Sequence, residues 1–182
     1  MINLQPTLEN DFVYLRPLQK EDFEDLYAVA SDPKIWEQHP NNNRWKREVF
    51  ANFFEGALLS EGALVIFDKQ TEEVIGCTRF YAYDEDESSI FIGYTFYARK
   101  YWGGKYNPAV KRLMLNYIFQ YVDYVRFHVG KDNLRSRKAM EKLGAKYQGE
   151  IEIAYYGEPN RINVTYSKSK EDWLSQENQA NT

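Results

Sequence analysis

Cysteine occurs once in the 182 residues, at Cys77, and histidine only at His39 and His128. A single thiol excludes an internal disulfide and any cysteine-based metal cluster, and no metal site is expected. No apolar run approaches the roughly 20 residues that span a bilayer. The start of the chain lacks the basic residues, apolar centre and small-residue cleavage site of a secretory signal, so a soluble protein in the cytoplasm, away from membranes, is expected. A basic excess is missing too. The net charge is -4 and the pI is near 5.3, which argues against a sequence-independent nucleic-acid binder. Neither G-x-x-x-x-G-K-[ST] nor G-x-G-x-x-G is present. No linker or repeat divides the chain. One domain over residues 1–176, followed by a polar tail over 177–182, is expected.

What the chain does have is a dense centre from Ile90 to Phe119. Ile90–Phe96 is β-branched and aromatic and has the length of a strand. From Pro108 the period changes: Val110, Leu113, Met114, Tyr117, Ile118 and Tyr121 form one apolar helical stripe, with Lys111, Arg112 and Asn116 on the other side. Asn107 suits an N-cap and Pro108 the first helical position. Gly103-Gly104 lets a ligand approach the backbone, and the helix start offers unpaired N–H groups and a positive dipole end. That combination fits an anion, most simply a phosphate. Arg99, Lys100, Lys105, Lys111 and Arg112 surround it, and Lys131, Arg135, Arg137 and Lys138 follow.

Around this centre the pattern predicts strands at 12–18, 63–67, 74–81, 125–129, 146–156 and 161–167, and helices starting near Glu21, Lys46 and Leu134. Asn133 would cap the last helix and Gly144 would end it. A strand–helix–strand crossover makes the central strand and 125–129 parallel, while the flanking hairpins add antiparallel strands. The expected fold is α/β, with a mixed, mostly antiparallel sheet of about seven strands, a parallel pair at its centre and about four helices. Ligands of such sheets bind beyond the carboxyl ends of the parallel strands, here between the Tyr97–Asn107 loop and the Gly130–Asn133 turn.

With both loops placed, the chain resembles the GCN5-related N-acetyltransferase superfamily, and most closely the branch with the ribosomal-protein alanine acetyltransferases. The resemblance runs from F-V-Y-L-R-P-L to the closing hairpin. It rests on Gly93-Tyr94, on Tyr101-Trp102-Gly103, and above all on Asn133-Leu134-Arg135-Ser136 followed by Glu141-Lys142-Leu143-Gly144. The resemblance implies acetyl-CoA as co-substrate, held by Phe96, Tyr97, Lys100, Trp102, Gly103, Gly104, Lys105, Tyr106, Asn107, Asn133 and Ser136, with the central strands splayed around its pantetheine arm. It also implies an amine acceptor and a protein that is a monomer or homodimer. The sequence departs from the family in two places. The pyrophosphate loop carries Lys105 and Asn107 where small residues are usual, with cofactor contact expected to survive if Lys105 turns its ammonium toward phosphate. Met140 stands where many relatives have the Tyr that protonates the departing thiolate.

The implied chemistry is attack of a neutral amine on a thioester. Alkylamines have pKa values around 10, so a base or water relay is needed. The backbone N–H of Tyr97 is the implied oxyanion donor and Ser136 the candidate acid. Glu37 and His39 lie in the loop that borders the acceptor in the family, and His128 shares a strand face with Arg126. Trp36, Trp45, Tyr81, Tyr83, Tyr94 and Tyr155 could line an acceptor pocket, and the acidic turn Asp84–Glu87 could draw in a cationic acceptor. Cys77 reads as a packing thiol. Three readings stay open: an acetyltransferase, a silent acyl-CoA-binding module, and a binder of another nucleotide.

Overall fold

The computed structural model describes residues 2–180. Its elements are β1 (Leu8–Glu9), β2 (Val13–Pro17), α1 (Phe23–Ala30), α2 (Arg47–Leu59), β3 (Ala63–Asp68), β4 (Val74–Asp84), β5 (Ser89–Tyr97), α3 (Tyr106–Ile118), β6 (Tyr124–Gly130), α4 (Leu134–Leu143), β7 (Lys146–Ile153), β8 (Arg161–Ser169) and α5 (Lys170–Ala180). They form an eight-stranded sheet in the order β1-β2-β3-β4-β5-β6-β8-β7, antiparallel except for β5–β6. The mixed α/β architecture matches expectation. Two elements do not: β1 is only two residues long, and α5 occupies part of the stretch expected to be a polar tail. α5 buries Trp173 against the core, while its polar surroundings give no stripe to read. Asn181 and Thr182, the end of that tail, lie outside the described residues.

Each face of the sheet has its own core. Ile90, Ile92, Val110, Met114, Ile118, Val125, Phe127 and Trp173 fill one, under α3, α4 and α5. Leu26, Trp36, Phe50, Phe53, Val65, Cys77 and Phe96 fill the other, under α1 and α2. The position of Phe96 exposes the feature that shapes the middle of the sheet. Cys77 pairs with Phe96 but Arg79 pairs with Gly93, so Thr78 faces an extra residue on β5, and Tyr94 there has φ of 53°. This is a β-bulge. A one-residue insertion reverses which side chains face which way, so Ile90 and Ile92 point to the α3 side, Phe96 to the α2 side and Tyr97 back to the α3 side.

The parallel partner is lost nearby. β5 and β6 pair only at Ser89–Tyr124, Ile90–Val125 and Phe91–Arg126, after which β5 stays with β4 and β6 with β8. The strands therefore diverge toward their carboxyl ends. The β4–β5 contact on which this depends is close: a Cβ added to Gly76 would sit 2.0 Å from the carbonyl oxygen of Phe96. Gly76→Ala is expected to cost about 3 kcal/mol through forced backbone movement, read as a lowered urea midpoint. An unchanged midpoint would show that the two strands separate freely here.

Candidate active site

A cavity of about 570 Å³ opens where β5 and β6 diverge. Two loops make its rim. After β5 the chain passes through a short turn at Arg99–Tyr101, Trp102 and Gly103, whose φ of 70° favours glycine, and enters α3 at Tyr106. After β6 it turns at Gly130 into α4, capped by Asn133, whose Oδ1 accepts from the Ser136 N–H at 3.1 Å. Arg135 joins the two loops: its guanidinium lies 3.9 Å from the centre of the Trp102 ring and donates to the Ile35 carbonyl at 3.1 Å.

On the β5 side the backbone itself is available. Ala98 N donates to Ile75 O at 2.8 Å, so in the antiparallel alternation Tyr97 turns its N–H and C=O away from β4 toward the opening. The Tyr97 carbonyl accepts from Trp102 Nε1 at 3.0 Å, while its N–H faces the space that β6 has left. Phe96, Tyr97, Trp102, Gly103, Gly104, Asn107, Asn133 and Ser136 all line the cavity.

Four expectations need revision. α3 begins at Tyr106 with Lys105 as its N-cap residue, ahead of the start that Asn107-Pro108 implied. Proline is tolerated throughout a helix's first turn, where no N–H has an intrahelical acceptor, so it does not fix the first residue. Lys105, Tyr106 and Lys100 are absent from the cavity wall, because each has a partner elsewhere. The Lys105 ammonium sits 3.9 Å from the centre of the Phe12 ring instead of turning toward a phosphate. Tyr106 Oη donates to Asp68 at 2.8 Å, and Lys100 Nζ donates to Glu73 at 2.6 Å. The cations that α3 and α4 place on the wall are Lys111, Arg112, Arg135, Lys138 and Lys142. Asn107 lines the cavity but accepts from Tyr97 Oη at 3.1 Å, so its side chain braces β5 against α3.

The opposite end of the cavity is aromatic. Trp36, Tyr81, Tyr94, Phe96 and Tyr155 line it, with His39, Arg44 and His128. Tyr94 is the hub, 5.0 Å from Tyr81 and 5.2 Å from Tyr155 between ring centres. Burial raises the phenols of Tyr81, Tyr94 and Tyr155, so all three stay protonated near neutral pH. Arg44 is buried and forms a double hydrogen bond to Glu158, both at 2.7 Å; this pair ties the β7–β8 loop over the cavity. Arg79 lies beneath, its guanidinium 3.8 Å from the centre of the Tyr94 ring, with its Nε unpartnered among the described residues.

The base candidates separate clearly. Glu37 is exposed and faces a shallow surface pocket with Trp45. His39 lines the cavity, but its Nδ1 accepts from the Asn41 N–H at 3.0 Å and its Nε2 lies 3.3 Å from Arg44. A neutral imidazole has one acceptor nitrogen, so that lone pair is already engaged. Burial and then the Arg44 charge hold its pKa well below the usual value. His128 faces the aromatic end, its Nδ1 3.3 Å from Tyr81 Oη, and burial lowers its pKa to about 4. Tyr83 is exposed, and neither it nor the Asp84–Glu87 turn touches the cavity. Cys77 is buried with its thiol pushed up to about 12 by desolvation, as befits packing.

Lys111 is the residue that periodicity misplaced. The buried stripe of α3 is Val110, Lys111, Met114, Leu115 and Ile118, rotated from the expected one so that the amine points inward. Its Nζ donates to Thr95 Oγ1 at 3.0 Å, and burial lowers its pKa to about 7. Its charge type hid it: lysine at a helix position reads as solvent-facing.

An open mixed sheet whose parallel strands part above a helix start, with backbone donors and cations on one wall, forms a cleft that suits an extended anionic ligand. The acetyltransferase (GNAT) domain model matches residues 13–146, and the chain belongs to that family. Solved structures agree in fold. A GCN5-related N-acetyltransferase from Brucella melitensis is 21% identical, with a TM-score of 0.81, over 97% of this chain and 85% of its own. A candidate acetyltransferase from T. thermophilus is 25% identical, with a TM-score of 0.81, over 98% of this chain and 97% of its own. The Microcin C7 self-immunity acetyltransferase MccE, solved with acetyl-CoA and AMP, is 16% identical, with a TM-score of 0.71, over 88% of this chain and 93% of its own. The protein is an acetyl-CoA-dependent N-acetyltransferase, and its cavity suits that co-substrate: the unpaired edge of β5 can meet amides, and Arg112, Lys138 and Lys142 can meet phosphates. Among the described residues no helix is long and apolar enough to cross a membrane.

Two outcomes follow from the buried charges. Glu158→Gln leaves Arg44 buried without its counter-charge and is expected to cost about 3–5 kcal/mol in denaturant unfolding. The folded pKa of Lys111, about 7, lies below the ordinary lysine value of about 10.4, so between the two the unfolded chain binds the extra proton and stability rises with pH. Lys111→Met is therefore expected to raise the melting temperature most at pH 6, with the gain shrinking toward pH 9; each kcal/mol appears as about 2–4 °C.

Proposed function

We propose that the enzyme moves the acetyl group of acetyl-CoA directly to a primary amine in a ternary complex, the amine belonging to a small molecule or a protein N-terminus. The observation that carries this reading is one continuous cavity with a cationic, backbone-lined end and an aromatic end, meeting at Tyr97. When bound, acetyl-CoA supplies an acetyl group activated as a thioester. The Tyr97 N–H is aimed at the carbonyl oxygen, and one such donor is typically worth about 3 kcal/mol in the transition state. Asn133 caps α4 with its Oδ1 and keeps its Nδ2 for the cofactor near the thioester. Ser136, in the first turn of α4, offers its hydroxyl to the sulfur. Tyr81 and His128 carry the acceptor's proton away, directly or through water; an imidazole with a pKa of about 4 is a weak base but is fully neutral and ready to accept.

The wall also narrows the acceptor. Among the described residues Glu177 is the only carboxylate on it, at the cofactor end, where Arg112 holds it at 2.7 Å. At the aromatic end Arg44 is paired with Glu158, whose carboxylate does not line the cavity, and Arg79 lies beneath with its guanidinium against Tyr94. Polyamines and aminoglycosides would bring several cations to a wall with no free carboxylate to meet them, which argues against the cationic acceptor inferred from the Asp84–Glu87 turn. The aromatic box instead favours an amine on a flat or apolar group. The resemblance of Asn133–Gly144 to the ribosomal-protein branch supports trying peptide N-termini first.

Calorimetry should detect acetyl-CoA at submillimolar concentration. Release of free thiol should then be found with peptides or aromatic amines and not with polyamines. Asn133→Ala should raise KM for acetyl-CoA; an unchanged KM removes Asn133 from the cofactor site. Binding without thiol release from any amine would instead identify a silent acyl-CoA-binding module, for which Met140 in place of Tyr is the motivating feature.

A further inference from the structure

Lys111 is used by neither the phosphate contacts nor the acceptor box. It is 5% exposed, and it lines the same cavity as Tyr97, Ser136 and Met140. Beneath it Thr95 Oγ1 lies 2.8 Å from Thr78 Oγ1, which donates to Met114 Sδ at 3.5 Å. An ammonium has three donors, and Thr95 takes one of them. Among the described residues no carboxylate answers its charge. Thr95 of β5 is its hydrogen-bond partner, Thr78 of β4 and Met114 of α3 continue that chain of contacts, and Tyr97, Ser136 and Met140 share the cavity wall with it; Glu177 of α5 is engaged by Arg112. Packing does not account for an amine in this position, since an apolar side chain of equal volume would fill the space without desolvating a charge.

The reaction does account for it. Acyl transfer leaves a thiolate that needs a proton, and Met140 has none to give. A serine hydroxyl is a far weaker acid than a thiol, whose pKa is about 8.5, so Ser136 can hydrogen-bond the sulfur without being the proton's source. We propose that Lys111 is the catalytic acid of this enzyme, donating a proton from Nζ to the sulfur of the departing coenzyme. This assignment rests on the acetyl-transfer reading. As the acceptor nitrogen forms its bond to the carbonyl carbon, the C–S bond breaks and its electron pair stays on sulfur. The Nζ proton then goes to sulfur, giving free thiol and a neutral lysine. The acceptor nitrogen loses one proton to the Tyr81–His128 side, and Lys111 regains one from solvent when product leaves. Burial brings its pKa to about 7, close to working pH, where a general acid is most effective. Phosphates bound nearby would oppose that lowering and raise it.

The test uses Lys111→Met, Lys111→Arg and Lys111→Ala with acetyl-CoA and the best acceptor from the amine screen. Lys111→Met should lower kcat ~100-fold or more, leave acetyl-CoA affinity unchanged by calorimetry, and abolish the alkaline limb of the pH profile. Lys111→Arg should stay slow, because a guanidinium does not release its proton near neutrality. Added methylammonium should restore turnover to Lys111→Ala, which loss of a merely structural lysine would not allow. In the cofactor-free protein, the 13Cε resonance of Lys111 should titrate near neutrality. Wild-type kcat in Lys111→Met, a surviving alkaline limb, absent rescue, or titration at the ordinary lysine value would each overturn the assignment. Failure of the wild-type enzyme to release thiol with any amine would instead sink the acetyl-transfer reading on which it rests.

Discussion

The molecule depends on the early end of one ladder. β5 and β6 are parallel neighbours for only three residue pairs, and beyond them each strand keeps its partner on the other side. A strand pair that simply frayed would expose unsatisfied backbone groups, which proteins avoid in the interior. Here the exposed edge faces a cavity, and some of it is already used: the Tyr97 carbonyl accepts from the Trp102 indole. The bulge at Tyr94 makes this geometry self-consistent. It lets Phe96 join the core under α2 while Tyr97 and Thr95 turn toward α3, so one extra residue shapes both the aromatic wall and the wall beside α3.

The two ends of the cavity are then stabilised by different means. The end proposed for the cofactor leans on backbone and on surface cations, which suits a polyanion that must enter and leave. The aromatic end is fixed by desolvated contacts: the Arg44–Glu158 pair, the Tyr81–Tyr94–Tyr155 cluster, and the β7–β8 loop held to α2 by Asn52 Nδ2, which donates to the Tyr156 carbonyl at 2.9 Å. A Cβ on Gly56 would come within 2.9 Å of Tyr156, so that loop packs on α2 with no room to spare. The loop is a wall of the site as much as a connection between strands.

Much of this was legible in the sequence. The central strand, the Gly103 turn, the Asn133 cap and the Gly144 stop all follow from local rules that the structure keeps, because each is decided by residues close together in the chain. What was not legible was decided across the chain. Lys105 looked like a phosphate ligand until Phe12 took its ammonium, and Lys100 until Glu73 did. Arg44 and Glu158 are 114 positions apart, and neither has a neighbour that hints at the other. α5 escaped because a helix anchored by one tryptophan has no periodic face. The stripe of α3 was read from the apolar residues alone, which rotated it and put Lys111 on the wrong side.

That rotation has a chemical cause. An amphipathic helix over an ordinary sheet would bury Leu113 and expose Lys111, since desolvating an ammonium is expensive. α3 instead buries Lys111 and leaves Leu113 only half-buried, because the splayed strands leave a polar hollow beneath it, lined by Thr95 and Thr78, where the ammonium finds a hydroxyl and an opening to the cavity. The same divergence that frees the β5 backbone for a cofactor therefore makes room for a charged side chain in the core. Burial without a counter-charge makes that side chain hold its proton loosely, and a loosely held proton is what the proposed role in acyl transfer from a thioester requires. The irregular sheet and the misplaced lysine are two consequences of one constraint.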